Sequence, residues 1–86
     1  MAKRYYQARQ RLKNAVLEEA LRRIRNGQVA GPLKIAWVQE IVDQQVDRMK
    51  PELRKEWDAA TERQKKQLAR ECWHNLRLAI RLSREF

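Results

Sequence analysis

Apolar residues recur along this chain with the spacing of helices rather than strands. From Tyr5 to Asn26, Leu12, Val16, Leu17, Ala20, Leu21 and Ile24 follow steps of three and four, which gather side chains on one helical face. Asn26-Gly27 then supplies a left-handed stop. Between Lys34 and Met49 the stripe is Ile35, Val38, Ile41, Val42, Val46 and Met49. Several of these are β-branched and would suit a strand, but the period is helical. Gly31-Pro32 just ahead reads as the cap and first turn of this second helix.

Pro51 lacks a backbone donor and restricts Lys50, so the chain breaks there and a short third helix opens, carrying Leu53, Trp57 and Ala60. Thr61-Glu62-Arg63-Gln64 matches the capping box and marks a bend near Ala60 before a fourth helix. Its broad apolar face holds Leu68, Ala69, Cys72, Trp73, Leu76, Ala79 and Ile80, widened by Leu78 and Leu82. The expected helices are therefore 5–26, 34–49, 51–60 and 62–84. The predicted fold is all-α, a bundle of three to four helices in one domain over residues 1–86.

A chain of this length buries only about 60 to 65% of the surface its unfolded form exposes. Its core, centred on Val42, Val46, Trp57, Trp73, Leu76 and Ile80, is expected to be completed by homodimerisation, which adds apolar burial.

Charge sharpens the picture. The net charge is +9, and it is uneven: residues 1–26 hold 8 basic and 2 acidic groups, residues 27–50 hold 3 of each, and residues 51–86 hold 9 and 6. Both ends are basic, which favours an anionic partner and nucleic acid first. On the fourth helix Arg63, Lys66, Arg70, His74, Arg77, Arg81 and Arg84 fall within an arc of roughly 80°, one cationic ridge roughly 30 Å long. Guanidinium forks suit phosphate oxygens, so this ridge is the candidate nucleic-acid surface. The bland reading of such a ridge is a solvated face threaded with local ion pairs.

Helix 1 repeats the theme less cleanly. Arg4, Arg11, Arg22 and Arg25 share a side that Glu18 interrupts, while Arg9 and Lys13 stand where the apolar stripe would continue. The first two turns are accordingly expected to project from the core, with residues 1–8 forming a mobile basic arm. Arg4 and Arg11 join the candidate nucleic-acid-binding residues.

A second candidate surface lies on helix 2, where Glu40, Asp43 and Asp47 form an acidic row and Trp37 sits off the centre of the apolar stripe. An aromatic anchor beside charge suits a protein partner. The same groups serve equally well as core packing and intramolecular ion pairs.

Other classes find little footing. The single cysteine, Cys72, excludes an internal disulfide, and with only His74 beside it no soft ligand set for zinc forms. No Ser/His/Asp or Cys/His pairing, glycine-rich phosphate loop or inward carboxylate pair can be assembled, so neither an enzyme nor a cofactor is expected. A membrane role is disfavoured because the apolar face of helix 4 is needed for the core, and the opening Met-Ala-Lys-Arg-Tyr-Tyr lacks the apolar run of a signal peptide. A cytoplasmic or nucleoid location is expected.

A helix-turn-helix across Lys50-Pro51 is poorly supported, since its second helix mixes Glu52, Glu56 and Asp58 with Arg54 and Lys55. The stretch from Glu56-Trp57 to Trp73 resembles the later helices of an HMG box over less than half the chain. The proline-rich opening and wedge residues of that family are missing, and no family is assigned.

The leading expectation is a non-enzymatic basic protein that binds nucleic acid through phosphate contacts or serves a nucleoprotein complex. The alternative is an adaptor or inhibitor, such as a phage-type regulatory factor or a subunit of a helical assembly, that docks on a larger protein through Trp37 and the acidic row.

Overall fold

A computed structural model describes the backbone of residues 2–29 and 31–82 and the side chains from residue 5 onward within them. Four helices follow in order: α1 Ala2–Arg25, α2 Ile35–Asp47, α3 Pro51–Asp58 and α4 Glu62–Leu82, with no strand among the described residues. The fold is an all-α bundle. The long α1 is its spine, since α2, α3 and α4 all pack against it, and α2 also packs against α4.

The helix ends obey the local chemistry of their residues. Gly27, at φ 67°, closes α1. Its N–H bonds the Ile24 carbonyl at 3.1 Å and the Gln28 N–H bonds that of Arg23 at 2.9 Å, the paired geometry of a Schellman stop. Pro51 opens α3 at a position where no backbone donor is needed. Thr61 and Gln64 cap α4 reciprocally: the Thr61 N–H donates to Gln64 Oε1 at 2.9 Å, and the Gln64 N–H donates to Thr61 Oγ1 at 3.1 Å.

One boundary differs from expectation. Gly31-Pro32 does not start α2; the helix begins at Ile35 after Lys34, which is extended and gives no side-chain cap. Gly31 takes a positive φ of 88°, so the chain turns there and needs further residues before helical dihedrals resume.

The core joins all four helices. Leu12, Val16 and Ala20 of α1 meet Val38, Ile41 and Val42 of α2, Trp57 of α3, and Leu68, Cys72 and Leu76 of α4. Trp73, Val46 and Ile80, expected at the centre, pack at its margin. Leu78 and Leu82 do not widen the α4 face: they are 39% and 82% exposed, and Ile35 is 43% exposed at the start of α2. The first turns of α1 also depart from the expected projection. Ala8 is fully buried, Tyr5 packs against the core and Arg9 is tied to α4, while Tyr6 stays exposed; the side chains of residues 1–4, the rest of the expected arm, lie outside the described residues.

Candidate nucleic-acid interface

Because α4 is a continuous helix whose apolar face is held by Leu68, Cys72 and Leu76, its opposite face points to solvent. Arg63, Lys66, Arg70, His74, Arg77 and Arg81 are all exposed along it. None of them has an ion-pair partner among the described residues. The reason lies in where the carboxylates go. Glu62 pairs with Lys65 at 4.0 Å, and Glu71 turns to Arg9 of α1. The two acids of α4 thus pair with groups off the ridge, and only Glu71, beside Arg70 and His74, brings negative charge to its edge.

Two features shape this surface. The Arg77 guanidinium carbon lies 5.8 Å from the Trp73 ring centroid, a cation–π contact that restrains an otherwise free side chain. Lys13 of α1 joins Arg70, His74 and the carboxylate of Glu71 around a groove between α1 and α4. Arg63, Lys66 and Arg70 line a second depression one turn earlier. Lys13 was not among the expected binding residues. The signal for it was its position on the edge of the α1 apolar stripe, which faces α4 across a narrow gap.

Arg11, by contrast, is not part of this surface. It stands two residues from Lys13, about 200° around the helix, and lines depressions against α2 and α3 with Arg48, Lys50 and Leu53. The side chain of Arg4 and all of Arg84 lie outside the described residues.

The second candidate surface is divided. Trp37 is half-buried and packs on the core, and it shares a depression with Glu40, Lys34, Pro32 and Val29. Asp43 accepts a hydrogen bond from Gln39 Nε2 at 3.0 Å, and Asp47 pairs with Arg54 at 3.5 Å. The acidic row is therefore partly occupied within the chain. On α1, Arg22 and Arg23 both donate to Glu19, and these hydrogen bonds, Arg22's first, hold its carboxyl down to about 2. These groups are taken up locally.

Cys72 is fully buried, and burial pushes its thiol up to about 11, far from the thiolate that nucleophilic or metal chemistry needs. Among the described residues no His, Cys, Asp and Glu are grouped to hold a metal ion, and no helix is long and apolar enough to cross a membrane. No protein-family model, curated protein or solved structure matches the chain.

Proposed function

We propose that this protein binds nucleic acid through the phosphate backbone, with α4 as the contact helix and little reading of base edges. One observation carries the reading: six exposed basic side chains follow one face of α4 while both acids of that helix pair elsewhere. A solvated face held by its own ion pairs would show the opposite arrangement. Arg70, Arg77 and Arg81 are the central contacts, Arg63 and Lys66 extend the surface toward the start of the helix, and Lys13 adds a contact across the α1–α4 groove.

Docking on a larger protein through Trp37 draws less support, because that ring packs on the core and Asp47 is engaged by Arg54.

The test is fluorescence anisotropy with duplex DNA, single-stranded DNA and RNA across a salt series. On duplex DNA the slope of log affinity against log salt is about −0.9 per neutralised phosphate, so Arg70→Ala/Arg77→Ala/Arg81→Ala should flatten it by about 2 to 3. Unchanged affinity and slope in a variant of native helicity would rule out α4 as the contact surface.

A further inference from the structure

A second cationic surface stands apart from the ridge. Arg11 of α1, Arg48 at the end of α2 and Lys50 at the start of α3 surround an open groove floored by Leu12, Met49 and Leu53. All three cations are exposed, and none has an ion pair among the described residues. One acid is near, Glu52, which lines the adjoining depression with Arg11 and Lys50. The other acids at this corner, Asp47 and Asp58, turn to one shared partner, Arg54, at 3.5 and 3.7 Å. Counted with Arg54, the corner holds four cations, Arg11, Arg48, Lys50 and Arg54, against three carboxylates, Glu52, Asp47 and Asp58, an excess of about one positive charge, and the three cations that line the groove are the unpaired ones.

Its position is set by α1. Arg11 and Lys13 project to opposite flanks of this helix, Arg11 toward α2 and α3 and Lys13 toward α4. A straight duplex lying along the α4 ridge meets Lys13 and is separated from Arg11 by the body of α1. The two shorter extents of the molecule are 20 and 18 Å, so both surfaces are held within roughly one duplex width of each other.

We infer that one copy of this protein bridges two nucleic-acid segments, the α4 ridge holding the phosphates of one duplex and the Arg11–Arg48–Lys50 cluster holding those of a second. The occupant follows from charge: three guanidinium and ammonium groups around an open groove fit a phosphodiester backbone. Cations between two duplexes also screen the repulsion that keeps them apart. This inference rests on the nucleic-acid reading of α4, and it assigns the two surfaces different tasks.

The experiment uses two duplexes of roughly 20 base pairs, long enough to cover a ridge of this length, one labelled with a donor and one with an acceptor fluorophore. Anisotropy reports binding of a single duplex, and energy transfer reports bridging. The wild-type protein should do both at low salt. Arg11→Ala/Arg48→Ala/Lys50→Ala should lose energy transfer while single-duplex affinity falls less than about threefold, and Arg70→Ala/Arg77→Ala/Arg81→Ala should lose both, by about tenfold or more. The charge-reversed pair Arg11→Glu/Lys50→Glu, checked for helicity by circular dichroism, should abolish bridging even if alanine substitution only weakens it.

Single-duplex binding without energy transfer overturns the bridging inference alone. Energy transfer that survives the Arg11 variants also overturns it, and assigns bridging to two ridges on separate copies. An Arg11 variant that loses single-duplex affinity as severely as the ridge variant places both clusters on one duplex. Absence of anisotropy change in the wild-type protein defeats the α4 reading itself.

Discussion

Arg9 and Glu71 form an ion pair across the α1–α4 interface, and this pair directs the one carboxylate at the edge of the α4 basic face toward α1. Their side chains are 18% and 38% exposed, so the pair is partly desolvated and holds the first turns of α1 against α4. Glu71→Gln removes the charge but keeps the shape. It leaves Arg9 half-buried without its counter-ion and should lower stability by about 1 to 2 kcal/mol, between the values for surface and buried pairs. The same change deletes a negative charge beside the ridge and should raise nucleic-acid affinity at low salt. Urea denaturation and anisotropy on one variant measure both effects, and a loss of stability with weaker binding would contradict the arrangement.

The capping box at the head of α4 gives a more local prediction. Thr61 and Gln64 satisfy each other's backbone N–H groups in an exposed setting, so little packing depends on them. Thr61→Ala should cost about 1 kcal/mol in urea denaturation. Gln64→Ala should cost less, and the double variant should cost less than the sum, because each side chain has already lost its partner in the other single variant.

Much of this fold was legible in the sequence because its breaks are chemical. Gly27, Pro51 and Thr61 each dictate a backbone event, and each event occurs where its residue stands. Periodicity located the faces of the four helices, but it could not tell how far around each helix the cover extends. Leu82 flanks the α4 stripe, about 120° around the helix from Leu76, and is 82% exposed, whereas Ile80 packs against the core. The site was legible in the same partial way. Spacing placed the α4 cations on one ridge, whereas the division of α1 between Arg11 and Lys13 depended on which helices flank it. Arg9 likewise looks like an interruption of the α1 stripe until Glu71 is brought opposite.

That limit of periodicity leads to a contrast between two leucines of one helix. Leu76 is fully buried in the core, and Leu82 lies six residues beyond it in solvent. Leu76→Ala should cost about 2 to 5 kcal/mol through lost burial and the cavity it leaves. Leu82→Ala should change stability by no more than about 0.5 kcal/mol. If Leu82→Ala instead destabilised in a protein-concentration-dependent manner, that exposed end of α4 would be covered by a second copy.

The fate of the Cys72 proton yields a pH dependence. The thiol is buried among Leu68, Leu76 and the α1 residues, and burial raises it from an ordinary 9.0 to about 11, outweighing the nearby positive charges of Lys13 and Arg9. The folded chain therefore keeps a proton that the unfolded chain releases above pH 9. Stability from this source is complete below pH 9 and is lost as pH rises toward 11, at about 1.4 kcal/mol per unit of difference and so about 2 to 3 kcal/mol in total. Urea denaturation from pH 8 to 11 should show this decline in the wild-type protein and a shallower one in Cys72→Ala, which has no buried thiol. Thiol labelling should agree: at pH 8 the folded protein should react far more slowly than the urea-unfolded chain, and equal rates would mean that Cys72 is open to solvent.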